Sequence, residues 1–477
     1  MIKKDRETKS KYKEIVSNLS VTIFANLVSL VGSVVITFLL PKFIGVESFG
    51  YYQLYIFYTS YIGFLGFGWH EGIYLRFGGK YYKDLDKSLF KTQFVYYSLM
   101  ELVVSFIICI VGIIFASDGD KLTVFLMTAL CVMVYLPRAY LHNLLQAVNN
   151  IRSYAFGIVI EKTIHIVLTC ALLLFHANSF MGFVISELLG RFVAAIYIFI
   201  VCKEIIFAKS YRFSKVFDEI KINMKTGITL TLANISSLLI IGLVRQAIEI
   251  QWDVETFGKI SLTLSVSNLL MVFVRAVSTT LFPMLRRTND ERLKDVYSLM
   301  RGILMLLLLG MLIFCYPIQS LISMWLPKYA DTLVYMSVLF PLCVFECKSS
   351  MLIETFLKTI RKEKSMLIMN GVTVLLSVVL TIFTVFVFHN LNAAVFSIVF
   401  LVAFRSVLGE LLLSRYSKID VVKNMIAELI VAALFIVFNY FIGGWIGFGL
   451  YFVVFAAYIF VFRKNIFFTL KKKKKKI

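Results

Sequence analysis

The chain has 477 residues, of which 60% are hydrophobic and 16% charged, with a mean hydropathy of +0.85; an ordinary soluble domain carries about 25% charged residues. These figures exclude a water-soluble protein, because a hydrocarbon core about 30 Å thick takes about 20 apolar residues per crossing, and crossings fill this chain. The formal charge of +21 would suggest nucleic acid in a soluble chain, but here Lys and Arg mark cytoplasmic connections and no nucleic-acid partner is expected.

Residues 1–16 form a basic polar segment. No small-residue cleavage site follows a short apolar region, so it is expected to be a retained cytoplasmic tail. Apolar stretches then fall at 17–40, 49–72, 89–116, 122–146, 153–176, 180–202, 224–246, 256–282, 297–325, 331–357, 365–388, 393–414, 423–441 and 446–467. Each exceeds a strand in length, and in lipid only a helix or a closed barrel satisfies its own backbone hydrogen bonds. The prediction is therefore an all-α integral membrane protein of about fourteen transmembrane helices. Spans one to six make an N-terminal lobe (17–202), and residues 203–223 a cytoplasmic linker. Spans seven to twelve make a C-terminal lobe (224–414), followed by spans thirteen and fourteen (415–470) and a polybasic tail (471–477).

Charge fixes the orientation. Of the 49 Lys and Arg, 36 fall in the tails and in the connections on the N-terminal side, while the opposite connections hold only Lys42, Lys121 and Lys328. Both termini are predicted to be cytoplasmic. The run Lys471 to Lys476 reads as a patch resting on anionic membrane lipids, at about 1 kcal/mol per charge. The seven cysteines show no metal-ligand or CxxC spacing and read as packing residues. The connections opposite the basic side are too short to hold an acceptor-binding domain, so a membrane polymerase or ligase is disfavoured and no enzymatic activity is expected.

The chain also repeats itself at an offset of 208. Val46-Glu47-Ser48-Phe49-Gly50 matches Val254-Glu255-Thr256-Phe257-Gly258, Leu54 matches Leu262, and upstream Ala25-Asn26 matches Ala233-Asn234. Six spans separate the copies. Six is even, so both copies enter the bilayer from the same side, as in transporters whose halves rock about a central site.

Several segments are familiar as a set. They are Leu40-Pro41, Gly45 to Tyr52, Gly68 to Gly72 with Leu75-Arg76-Phe77, Leu145 to Asn150, and Arg275-Ala276 through Leu281-Phe282-Pro283. In this order they resemble the polysaccharide-transport (Wzx-type) flippases of the multidrug/oligosaccharidyl-lipid/polysaccharide exporter superfamily. The resemblance implies two pseudo-symmetric six-helix lobes around a V-shaped central cavity. It further implies an undecaprenyl-pyrophosphate-linked oligosaccharide, destined for O-antigen, capsule or exopolysaccharide, carried to the outer leaflet by alternating access. Polysaccharide polymerase machinery would be a partner, and no cofactor is expected beyond H+ or Na+ coupling.

Basic residues at membrane depth are natural partners for a pyrophosphate, since each costs about 2.5–3.5 kcal/mol there unless it faces water or a counter-charge. Arg138, Lys162, Arg191, Arg275, Lys348 and Arg405 lie well inside their spans. The competing reading is an ion pair: Glu187 precedes Arg191 by one turn, Glu161 adjoins Lys162, and Glu346 lies near Lys348. Arg138 and Arg275 have no acidic residue within a turn, and the resemblance puts Arg275 on a cavity-lining span. Tyr52, Tyr55, Tyr58 and Tyr61 form an i,i+3 run that would stack on sugar rings or sit at the membrane interface. His70, Glu71, Glu101 and Glu161 are candidates for ion coupling, with an interfacial pair the competing reading for His70 and Glu71. His165 reads as a core histidine.

Two relatives of the superfamily compete with this reading. A lipid II flippase, as that family is known, carries arginines on span one, whereas Ile15 to Leu40 hold no charge here. A multidrug exporter that prefers cations would favour acidic cavity residues.

Overall fold

The computed structural model describes the backbone of residues 2–286, 290–417 and 421–474, and the side chains of residues 20–269, 271, 296–362, 364–416 and 421–461. Every regular element among them is helical. The chain divides into two compact units, Met1–Ile235 and Ser236–Ile477, the first holding Val46 to Gly50 and the second its match, Val254 to Gly258. The repeat is also a structural register, since its two copies open helices at equivalent positions, Val46 and Val254. Phe49 and Phe257 are both buried, as are Leu54 and Leu262.

Twelve helices among the described residues are long and apolar enough to cross a membrane. Spans three to six run Lys87–Phe115, Gly119–Ala147, Ile151–Leu174 and Phe180–Val201, close to the apolar limits read from the sequence. Side-chain caps set three of their starts. Asp86 accepts from the Ser88 and Leu89 N–H groups, Asp118 from Lys121 N–H, and Ser179 from Met181 N–H, which satisfies donors that a helix leaves open. In the first unit span three packs along span four, span five along span six, and span one lies against span five. Span three turns Leu99, Val103, Phe106 and Ile113 outward, as a lipid-facing helix must.

Span seven is one helix, Phe213–Gln251, so the second half of the expected linker is helical and only the stretch around the short helix Lys203–Ile206 connects the spans. Span eight follows as Val254–Arg286.

Span two departs from expectation. It is not one helix over 49–72 but a helix Val46–Ser60, a 3-10 turn Ile62–Gly66 and a second helix Trp69–Phe77. The chain turns through left-handed φ angles at Phe67 (49°) and Gly68 (79°). The turn lets two backbones touch: a Cβ on Gly72 would lie 1.9 Å from the Asn223 carbonyl oxygen, and one on Gly227 would lie 1.9 Å from that of Gly68. Only glycine fits such a crossing. Arg76 clamps it, donating from Nη1 to Glu219 at 2.8 Å and to Asn223 at 2.5 Å.

Span ten is also interrupted, passing from Val334–Leu339 through Leu342–Lys348 and a π-turn Ser349–Glu354 to Thr355–Thr359. It is the centre of the second unit: 89% of its apolar window is buried, against 17% in spans three and fourteen. Spans eight, nine and twelve pack on it, and span eleven lies along span twelve. Ile240, Val244, Val338, Phe345, Ile398 and Val402 interlock in this core.

Candidate functional site

In the first unit, the charged residues of spans four, five and six meet in one buried cluster. Pro137 sits inside the span-four helix, where its ring removes a backbone donor and opens the helix locally. Arg138 follows it. Its side chain is 4% exposed; Nη1 donates to Glu161 Oε2 at 2.5 Å and Nη2 to the Gly157 carbonyl at 3.5 Å. The other oxygen of Glu161 lies 3.2 Å from Lys162 Nζ. On span six, Arg191 Nη2 donates to Glu187 Oε1 at 2.5 Å and Nη1 to Cys131 Sγ at 2.6 Å, while the guanidinium stacks over Tyr135 with its centre 5.3 Å from the ring. Gly190 allows the approach, since a Cβ there would lie 2.6 Å from the Glu161 carbonyl oxygen.

The charges of this cluster do not cancel. Among the described residues, Arg138, Lys162 and Arg191 face only Glu161 and Glu187, which leaves one positive charge in excess. The two arginines and both glutamates are well buried, whereas the Lys162 side chain is 32% exposed. The least buried of the three cations is therefore Lys162. An anion arriving at Lys162 would meet a cation whose nearest counter-charge, Glu161, is already shared with Arg138. His165 is buried in the same cluster, as expected of a core histidine, with Nε2 lacking a hydrogen-bond partner among the described residues.

The basic candidates of the second unit are differently placed. Lys348 Nζ lies 2.5 Å from Glu410 Oε2 and 2.7 Å from Glu428 Oε2, and Arg301 bridges the same two carboxylates from the other side at 2.5 and 2.8 Å. Tyr297 adds a hydrogen bond to Glu410 at 3.1 Å. Arg405 is held by Glu346 at 3.0 Å and Glu354 at 2.6 Å. Two cations balance two anions in the first group, so Lys348 and Arg405 have filled partners within their own unit. The backbone of Arg275 belongs to the Val254–Arg286 helix, and its side chain lies outside the described residues.

The four tyrosines of span two do not share a face. Three residues fall short of a full helical turn of about 3.6, so each step slips sideways and Tyr61 ends opposite Tyr52. Tyr52 and Tyr55 are buried beside Glu187 and Arg191. Tyr58 stacks on Phe125 with centroids 5.0 Å apart, and Tyr61 meets the edge of Phe57 at 5.2 Å.

The coupling candidates divide in two. Glu161 belongs to the cluster above. His70 Nδ1 lies 3.0 Å from the Tyr97 hydroxyl and its Nε2 3.2 Å from Glu71. Glu101, one turn beyond Tyr97 on span three, is fully buried beside the Tyr97 hydroxyl. Sequence reasoning did not single out Arg301, Glu410, Glu428 or Cys131 as members of clusters. The signal was present in two glutamates lodged in apolar spans twelve and thirteen. Carboxylates at that depth need cations, and a reading that starts from the cations alone passes over them. Among the described residues no three His, Cys, Asp or Glu gather as metal ligands.

No family model and no curated protein sequence matches the chain. Solved structures do match its fold. A lipid II flippase, MurJ, in an inward closed conformation aligns with a TM-score of 0.67 at 16% identity, covering 94% of this chain and 100% of that one. A multidrug resistance MATE family transporter of the MOP superfamily aligns in its inward-facing conformation with a TM-score of 0.57 at 15% identity, over 84% and 98% of the two chains. Its outward-facing conformation aligns with a TM-score of 0.57 at 14% identity, over 84% and 96%. The chain therefore shares the fold of that flippase and of that transporter.

Proposed function

We propose that this chain is a flippase for undecaprenyl-pyrophosphate-linked oligosaccharide repeat units of O-antigen, capsule or exopolysaccharide. It carries them from the cytoplasmic to the outer leaflet of a bacterial cytoplasmic membrane by alternating access. The observation that carries the reading is a cation at membrane depth, Lys162, that shares its one carboxylate partner, Glu161, with Arg138, in a fold shared with a lipid II flippase. A cation-exporting cavity calls for the opposite sign.

The physical steps follow from the cargo. Its polyprenyl tail gains about 0.8 kcal/mol per buried CH₂ and stays in lipid. The anionic head crosses only where a fixed positive charge replaces its water. Lys162 meets phosphate oxygens, and the Arg138–Glu161 pair behind it keeps the surroundings neutral, so the excess charge is local. With a negative cell interior, each negative charge moved outward gains about 2.3 kcal/mol per 100 mV; export of the head is electrically downhill. Protons or sodium then serve the return of the empty carrier. Glu101, fully buried beside the Tyr97 hydroxyl with no cation paired to it among the described residues, is the carboxylate best suited to take up and release a proton. Both termini lie in the cytoplasm, and the delivered repeat units pass to a polymerase.

A lipid II cargo is the second reading, favoured by coverage of 94% of the chain in that likeness against 84% for the multidrug transporters. Deleting the gene separates the two. The proposal expects lipid-linked repeat units to accumulate on the cytoplasmic leaflet while surface polysaccharide disappears and wall synthesis continues. Unchanged surface polymer would overturn it, and arrested wall synthesis would assign lipid II.

A further inference from the structure

A cavity of about 220 Å³ opens in the second unit where the connection between spans nine and ten meets that between thirteen and fourteen. Helix Cys315–Trp325 lines it with Tyr316, Gln319, Ser320 and Ser323, the π-turn Phe438–Ile442 with Asn439, and the start of the last helix with Trp445. Irregular backbone makes the room. The π-turn inserts an extra residue into its helix, as often occurs at functional sites, and Gly443 and Gly444 then reverse the chain with φ of 65° and 55°.

Its chemistry is narrow. No lining residue is charged, so neither a phosphate nor an ammonium group finds a counter-charge. Gln319 donates its amide N–H to the Leu333 carbonyl at 3.0 Å, which fixes the amide at the wall. Asn439, almost fully buried, makes a 3.5 Å contact from Nδ2 to Cys315 Sγ. Tyr316 is 5% exposed, yet its hydroxyl has no hydrogen-bond partner among the described residues; a buried hydroxyl left unpaired is costly, and such groups call for an explanation. Trp445 is 72% exposed, held on one side by the edge of Phe448 at 5.6 Å. An open indole, a buried orphan hydroxyl, one fixed amide, one loosely held amide and two serines suit a ligand that is apolar on a ring face and hydroxylated at its rim.

We propose that this cavity binds one neutral sugar ring. Pockets for drug-sized ligands start at about 300 Å³, and this smaller space takes a single ring and not a chain. Both connections belong to the side that holds only Lys42, Lys121 and Lys328. In the proposed orientation that side faces away from the cytoplasm, where a delivered glycan head arrives. The biological role rests on the flippase reading, whereas the binding itself does not.

The test uses the purified full-length chain in nanodiscs of neutral phospholipid. Saturation-transfer NMR is recorded with methyl glycosides of glucose, galactose, mannose and N-acetylglucosamine. At least one is expected to bind saturably at millimolar concentration, with affinity falling about tenfold in Trp445→Ala and several-fold in Tyr316→Phe. Trp445 is exposed and Tyr316→Phe removes only a hydroxyl, so thermal unfolding is expected to match the parent. A trisaccharide binding as tightly as a monoglycosyl lipid identifies the ring as part of a soluble glycan, and tighter binding of the lipid identifies a membrane-tethered sugar; both outcomes support the site. It is overturned if no glycoside binds saturably, or if neither variant weakens binding. Sugar binding without any effect of gene deletion on surface polymer would retain the site and refute the flippase.

Discussion

Replacing Lys348 by Met tests whether the second unit is held by a closed charge network. Lys348 Nζ contacts Glu410 at 2.5 Å and Glu428 at 2.7 Å, and Arg301 contacts the same pair at 2.5 and 2.8 Å. All four side chains are buried, and their charges alternate and sum to zero. Met keeps most of the lysine stem but leaves two carboxylates against one guanidinium. Removing one partner from a buried pair costs about 3–5 kcal/mol, because the remaining charge is uncompensated. For a unit of this size about 1 kcal/mol corresponds to about 2–4 °C, so the expected fall in Tm is about 6–20 °C. Lys348→Met combined with Glu428→Gln restores neutrality, and the double variant is expected to be more stable than the sum of the single losses by about 1–3 kcal/mol. Thermal unfolding in detergent, followed by size-exclusion chromatography, reads both numbers. An unchanged Tm for Lys348→Met, or strict additivity in the double variant, would refute the network. Any loss of transport in Lys348→Met is expected to follow the loss of folded protein.

Gly72→Ala places a Cβ 1.9 Å from the Asn223 carbonyl, and overpacking there is expected to cost about 1–3 kcal/mol or more; Gly371→Ala, which meets nothing within 4 Å, is expected to be neutral or stabilising in the same unfolding assay. Glu161→Gln leaves Arg138 buried without its counter-charge, and is expected to destabilise the protein by about 3–5 kcal/mol, read as a lowered Tm. Asp118 caps span four: partial burial raises its carboxyl, but hydrogen bonds from Lys121 N–H, the Ser117 hydroxyl and the Tyr51 hydroxyl together hold it below the ordinary value. A lowered folded pKa means that this stabilisation is complete above the ordinary aspartate pKa of about 3.9 and fades as the pH falls below it. Asp118→Ala is therefore expected to cost about 1 kcal/mol at neutral pH, and the difference between the two proteins is expected to shrink in acid unfolding.

Length and hydropathy made the helices legible because lipid permits little else. Spans three to six begin and end near their apolar limits, and the repeat at offset 208 reappears as two helix starts in the same register. The break in span two was not legible. Its cause is the approach of Gly227 from span seven, and periodicity within a window does not register a partner so distant in sequence. The same limit explains Arg138. No carboxylate lies within a turn of it, so it looked unpaired, yet Glu161 reaches it from span five. Arg191 and Glu187 share one helix, and there the i,i+4 rule sufficed. Lys162 beside Glu161 read as either an anion contact or an ion pair, and the second cation on the same carboxylate, Arg138, leaves one charge over.

The central claim is that a half-buried cation at membrane depth, Lys162, sharing its carboxylate partner with Arg138, carries an anionic, sugar-bearing head across. The direct measurement reconstitutes the purified chain into vesicles that hold an undecaprenyl-pyrophosphate-linked oligosaccharide in the inner leaflet, with lectin capture of sugar heads arriving outside. The parent chain is expected to deliver them, Lys162→Ala to deliver at least tenfold fewer at equal protein, and Lys162→Arg to retain part of the rate. No delivery by the parent chain, or an undiminished rate in Lys162→Ala, would contradict the account.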